Sequence, residues 1–174
     1  MRITSNDILQ YLVYISNRIT YFNLSVAYTR RMSLKPSRNE LSQFLRTQTV
    51  CVIATVDSAG GPNAATVAFS ESTDGQFIIG TSAKSRKATN IDANQRVALT
   101  VTDTEKRYTV QLEGVARKLS PDEFARYAEE HYSQLPSSRP YKDAPGQVDI
   151  IIQPTHIRFS DCSSFPWVTT DYDK

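Results

Sequence analysis

Cysteine and histidine are scarce, with two of each among 174 residues. Cys51 lies inside the apolar run Val50-Cys51-Val52-Ile53 and Cys162 near the far end, which excludes a disulfide framework and a structural zinc site at paired-cysteine spacing. A reducing, cytoplasmic setting without a metal is the expectation. Long apolar runs are missing as well: Ile8, Leu12, Ile15 and Ile19 recur at helical spacing, but Gln10, Asn17 and Arg18 interrupt them far short of the roughly 20 residues a membrane span needs. No membrane partner is expected. The glycine-rich fingerprint of a dinucleotide-binding turn is absent, as is any strand–helix alternation, so a Rossmann domain is excluded. Neither a Ser-His-Asp order with supporting context nor a paired-carboxylate signal is present.

A one-sided charge is lacking too. The net charge of +2 comes from residues 1–31, where Arg2, Arg18, Arg30 and Arg31 face only Asp7, leaving 16 cations against 17 anions in residues 32–174. Without an overall basic field, no nucleic-acid partner is expected. Residues 1–31 read as an N-terminal extension, either a helical arm or a start-site artefact, and Met32-Ser33-Leu34-Lys35-Pro36 as the entry to a compact domain over 32–174. Ser25-Val26-Ala27 offers small residues of the cleavage-site kind, but Ser16-Asn17-Arg18 breaks the apolar stretch before them, against a signal peptide.

What is present is 40% hydrophobic and 22% charged residues, the balance of an ordinary globular chain. Ser37-Arg38-Asn39-Glu40 has the capping-box pattern and, with Leu41, Phe44 and Leu45 behind it, predicts a short helix over about 37–47. From residue 50 the period becomes two. Strands are expected at 50–56, 64–69, 77–81, 97–101 and 108–115, with last strand material at 148–153 and 157–159 and turns at Asp57–Gly61 and Asp74-Gly75. Ser120-Pro121-Asp122-Glu123 opens a second capped helix whose apolar stripe is Phe124, Tyr127, Ala128 and His131. Six or seven short strands with two or three helices predict a mainly β fold, a small antiparallel barrel with helices at its ends.

The chemistry concentrates in Gly80-Thr81-Ser82-Ala83-Lys84-Ser85-Arg86-Lys87-Ala88. Ser85 reads as a helix N-cap, followed at once by two cations. Free backbone N–H groups, the positive end of the helix dipole and the Arg86 and Lys87 side chains then converge on one point. Cations there oppose the dipole unless an anion compensates, so the pattern predicts a phosphate site rather than a merely solvated basic face.

These residues also carry a resemblance. Val52-Ile53-Ala54-Thr55-Val56, Gly61-Pro62, Phe77-Ile78-Ile79-Gly80-Thr81, Ser85-Arg86-Lys87, Asn90-Ile91, Asn94-Gln95-Arg96-Val97-Ala98-Leu99 and Leu112-Glu113-Gly114, in that order, resemble the flavin-binding split barrel of the pyridoxamine 5′-phosphate oxidase superfamily. The resemblance implies a six-stranded antiparallel split β-barrel of Greek-key type with flanking helices, paired as a homodimer with a flavin at the subunit interface. It assigns the FMN phosphate to Arg86 and Lys87 with help from Thr81, Gly80 and Ser85, and the ring to the backbone of Ala65, Thr66 and Val67. Thr109 stands where the oxidase has a flavin-contacting Gln, and Gln111 is the candidate to replace it.

Departures narrow the reading. The second-strand Arg and Lys of the oxidase correspond to Ala65 and Ser70, its Trp to Ser160, and its C-terminal Arg-x-His has no counterpart in 160–174. Pyridoxamine phosphate is therefore not the expected substrate. The expectation is an FMN-dependent oxidoreductase that exchanges a hydride or electrons with a different small organic molecule. A deazaflavin-dependent reductase and a non-catalytic flavin or haem carrier are the alternatives, and catalytic residues stay unassigned. Trp167 is expected to anchor the tail rather than to lid a flavin, His131 to pack on its helix, and Tyr108 and Tyr141 to pack rather than to donate protons. Glu113 beside Gly114 reads as structural. His156, expected in a turn between the last strands, resembles the C-terminal His that ligates haem in haem-degrading relatives of this barrel, a role not expected here.

Overall fold

The computed structural model describes residues 32–33 and 35–173. The extension over 1–31 and the helical spacing within it lie outside the described residues. Helix α1 (Arg38–Leu45) begins at Ser37, whose hydroxyl accepts from Glu40 N while the Glu40 carboxylate accepts from Ser37 N, and it buries Leu41, Phe44 and Leu45. Strands β1 (Val50–Val56), β2 (Pro62–Ala68), β3 (Ser70–Glu71) and β4 (Phe77–Ser82) follow. Then come helix α2 (Arg86–Ala93) and strands β5 (Arg96–Asp103) and β6 (Tyr108–Lys118). Helices α3 (Pro121–Phe124) and α4 (Ala128–Gln134) and a 3-10 turn (Pro136–Tyr141) lead to β7 (Gln147–Asp161) and β8 (Val168–Asp173).

All pairings are antiparallel, in the order β2-β1-β5-β6-β7-β4-β3, with β8 added to the outer half of β7. The fold is the expected mainly β, split-barrel class, but the described residues form eight strands, not six. The difference has two physical sources. Phe69 interrupts the second strand, donating its N–H to Thr49 O, so that Ser70–Glu71 leave β1 and pair with β4 instead. The tail after Pro166 has enough β-branched and aromatic character to pair with β7 rather than trail as coil.

Two further boundaries moved. The 148–153 and 157–159 segments are one fifteen-residue strand, because Pro154 is accommodated opposite a register shift between Glu113 and Gly114. His156 is therefore in mid-strand and not in a turn. The single helix expected after Ser120 is split into α3 and α4 by a break at 125–127.

The core follows the two-residue period. Cys51 and Ile53 of β1, Val97, Leu99 and Val101 of β5, Tyr108, Val110 and Leu112 of β6, and Ile157 and Phe159 of β7 point inward. β4 buries three successive residues, Phe77, Ile78 and Ile79, because both of its faces are covered. Ile78 and Ile151 pack outward under Phe124 and Tyr132 of the helical layer. Cys51 is buried and its thiol is pushed up to about 12 by that burial, so it stays protonated and inert. Among the described residues no helix is long and apolar enough to cross a membrane.

Candidate functional site

β4 ends at Ser82, and the chain turns through Ser85 N to Ser82 O (2.9 Å) into α2. Ser85 is extended (φ −71°, ψ 147°) and its hydroxyl accepts from Ala88 N at 3.3 Å, so it caps the helix as its sequence position predicts. The first turn carries no acidic residue. Instead Lys87 Nζ donates to Thr81 Oγ1 at 3.3 Å, and Thr81 Oγ1 donates to Ser85 Oγ at 3.2 Å. An ammonium, two hydroxyls and the open N–H groups of a helix start are gathered on one side of β4. Arg86, beside them in sequence, is exposed. That donor set suits a phosphate, which brings acceptor oxygens and negative charge to a place where the helix dipole and Lys87 otherwise reinforce each other unfavourably.

The cradle is anchored from below. Buried Asn90 Nδ2 donates to the buried Thr55 Oγ1 at 2.9 Å, fixing α2 to β1. Gln147 supports it from β7, with its side-chain amide meeting Thr81 N and O, each at 3.2 Å. A side chain at Gly80 would first meet the end of the Gln147 side-chain amide, at 2.6 Å. Asp149, paired across from Gly80, has its carboxyl pushed up by burial. Sequence reading missed Asn90 as an anchor and Gln147 altogether, since each partner lies on another strand at a distance no local pattern encodes.

The remaining expected contacts divide into two groups. Ala65, Thr66 and Val67 lie on β2, the terminal strand of the sheet, and both α2 and β4 touch β2, so these residues share the neighbourhood of the cradle. Thr109 and Gln111 do not. Gln111 pairs with Arg158 and Thr109 with Ser160, whereas Thr81 pairs with Val148. Ten positions along β7 separate Val148 from Arg158, a span of roughly 30 Å at the usual strand rise.

Around Gln111 the outer face of the sheet carries Glu113, His156 and Arg158, bordering a shallow cavity of about 240 Å³. Asp171 of β8 reaches over it, accepting from Arg158 Nε at 2.7 Å and lying 3.1 Å from His156 Nε2. The Arg158 guanidinium holds the exposed Asp171 carboxyl below the usual range, with His156 adding to the effect. Among the described residues no cluster of three or more His, Cys, Asp and Glu side chains is arranged to hold a metal ion.

At Ser70, where the resemblance expects a lysine, the side chain is buried and its hydroxyl shares a 2.7 Å hydrogen bond with His131 Nδ1. There is no room for a long cation in that position. His131 is itself buried among Phe124 and Tyr132, and desolvation lowers its pKa to about 4. Tyr108 is fully buried between Phe44 and Phe159, whereas Tyr141 and Trp167 are exposed.

Residues 37–161, spanning α1 to the end of β7, match the family model described as pyridoxamine 5′-phosphate oxidase. The chain belongs to this family. A pyridoxine/pyridoxamine 5′-phosphate oxidase of Bacteroides thetaiotaomicron is 33% identical over 98 residues, which are 56% of this chain and 42% of that protein. The chain spans about half the length of the curated relatives it matches. Among solved structures, a haem-binding protein from Mycobacterium smegmatis superimposes with a TM-score of 0.67 at 18% identity, over 80% of this chain and 59% of the other. A pyridoxamine 5′-phosphate oxidase-related, FMN-binding protein from Nostoc punctiforme gives a TM-score of 0.62 at 15% identity, over 82% and 93%. These two likenesses establish the split-barrel fold.

Proposed function

We propose that this family member binds FMN and, as a homodimer, exchanges electrons between the flavin and a small organic substrate in the cytoplasm. The observation that carries the reading is the Ser85-capped helix start, where Lys87, Thr81 and Ser85 converge and the first turn carries no acidic residue. Bound there, the cofactor supplies the hydride and single-electron chemistry. The chain's own residues bind and orient it: Arg86, Lys87 and the α2 N–H groups take the phosphate, Thr81 and Ser85 add hydroxyls, and β2 at Ala65, Thr66 and Val67 offers backbone groups to the ring.

A dimer gives Thr109 and Gln111 a role that one protomer denies them. Their separation from Thr81 along β7 supports a site that takes its cradle from one copy and Gln111 from the other. The exposed Val50, Val52 and Val115 on the same outer face offer apolar surface for such a contact. The buried Ser70–His131 pair favours a substrate other than pyridoxamine phosphate, because it replaces a cation with a neutral, filled contact.

The haem-binding structural neighbour motivates one alternative. FMN is favoured over haem here because His131 is buried and bonded to Ser70, and His156 is held against Asp171. A deazaflavin coenzyme shares the phosphate and would use the same cradle. The test is a visible absorption spectrum of the purified protein before and after addition of FMN, with a parallel titration of a deazaflavin coenzyme. A flavin spectrum retained after desalting supports the reading. A colourless protein that takes only deazaflavin, or only haem with a Soret band, overturns it.

A further inference from the structure

A cleft of about 380 Å³ is lined by α1, the segment from Glu71 to Gly75 and the middle of β7, and it shares no residue with the phosphate cradle. Its walls are Leu41 and Leu45 of α1 and Pro154 and Ile157 of β7, and its floor holds Glu71 of β3. The Glu71 side chain is only 6% exposed. A carboxylate withdrawn from water this far needs hydrogen bonds or a cation to compensate.

That compensation is one-sided. Ser42 Oγ donates to Glu71 Oε2 at 2.9 Å, and Arg46 Nε approaches the same oxygen at 3.9 Å, the outer limit of an ion pair. Arg46 is better engaged elsewhere, with its Nη2 3.0 Å from Glu130 Oε1. Among the described residues no donor addresses Glu71 Oε1. Burial accordingly pushes the Glu71 carboxyl up, with Ser42, Arg46 and Arg38 opposing. The backbone beneath is fixed, because the Gln134 side chain accepts from Glu71 N at 3.1 Å and donates to Glu71 O at 2.8 Å, so the carboxylate cannot swing out to water by moving β3.

At the mouth, Arg38 is drawn aside onto the Tyr172 ring, 5.4 Å from its centroid, while Asp74 adds a second negative charge. The cleft has the volume of a small-molecule site, apolar walls and a rigid, under-compensated anion at its base.

We propose that this cleft is a second binding site, for a small organic cation: a primary ammonium that reaches Glu71 Oε1, carried on a compact apolar body that packs against Leu41, Leu45, Pro154 and Ile157. An ammonium completes the charge balance that Arg46 leaves open, and the four apolar walls contribute by excluding water around it. The assignment does not depend on the flavin reading, as the two sites have no residue in common.

The probe is 2-phenylethylamine, titrated into the full-length protein and followed by ligand-observed NMR, with 2-phenylethanol as the neutral isostere. Saturable amine binding is expected, weakened at least tenfold both for the alcohol and in Glu71→Gln. Asn39→Trp, which narrows the mouth from the exposed face of α1 without touching Glu71, should weaken amine binding to the same degree. It also decides the matter if Glu71→Gln does not fold. Equal affinity for amine and alcohol, undiminished binding in folded Glu71→Gln or in Asn39→Trp, or no amine binding on the order of 10 mM overturns the proposal.

Discussion

Ser70 Oγ and His131 Nδ1, 61 positions apart in sequence, share a 2.7 Å hydrogen bond that ties β3 to α4 in the buried interior. Burial lowers the His131 pKa from 6.5 to about 4. The unfolded chain therefore takes up a proton near pH 6.5 while the native one resists down to about 4. The stability held by neutral His131 is complete above pH 6.5 and is lost as the pH falls through that window, on the order of 3 kcal/mol in all. Urea unfolding at a series of pH values should show this slope, and His131→Gln should flatten it between pH 6.5 and 4. An unchanged slope in the variant would remove His131 as its source.

Arg86→Ala with Lys87→Ala should weaken FMN binding by about 100-fold, the loss of two charge-assisted contacts to a phosphate. Circular dichroism should stay native, since Arg86 is exposed and the helix cap rests on Ser85 rather than on either cation. Equilibrium dialysis against FMN measures the change, and retained affinity removes the phosphate assignment.

Ser85→Ala should cost about 1 kcal/mol of stability through the lost cap on Ala88 N. It should also weaken FMN binding, because the hydroxyl that organises Thr81 is gone. Thermal unfolding with and without FMN separates the two effects: the variant's shift should be larger with cofactor present.

Mixing two defective variants tests the shared site. Arg86→Ala/Lys87→Ala and Gln111→Glu should each bind FMN poorly alone. After dissociation and random reassociation, a two-copy site restores about one site in four, the fraction that draws its cradle from one variant and Gln111 from the other. A site contained within one protomer restores none.

Gly114→Ala and Gly80→Ala should part company. A Cβ at Gly114 would sit 2.7 Å from the backbone Gln153 O and 3.0 Å from Ile152 Cγ2, at the register shift between β6 and β7. Neither can retreat easily, so a cost of about 1–3 kcal/mol is expected in chemical denaturation. At Gly80 the obstacle is the Gln147 side-chain end, which can turn away, and the variant should fold normally while loosening the support of Thr81.

Much of this architecture is written locally. The two capping boxes at Ser37 and Ser120, the Ser85 cap and the two-residue period from Val50 onward each depend on neighbours within four positions, and each formed where the sequence places it. The eighth strand, the short β3 and the unbroken β7 were not legible, because strand pairing is decided by a partner far along the chain: Thr169 pairs Ser160 only once β7 exists to receive it.

The candidate site divides in the same way. By itself the sequence determined the cradle from Thr81 to Lys87, because a cap, its cations and the preceding strand end occupy a single turn of chain whose backbone donors and dipole are local properties. Only the tertiary structure decided that Gln111 stands roughly 30 Å along β7 from that cradle, that Ser70 is sealed against His131, and that Glu71 is buried at the base of a separate cleft. Distance, desolvation and shared cavities arise between elements, and no stretch of sequence contains both sides of them.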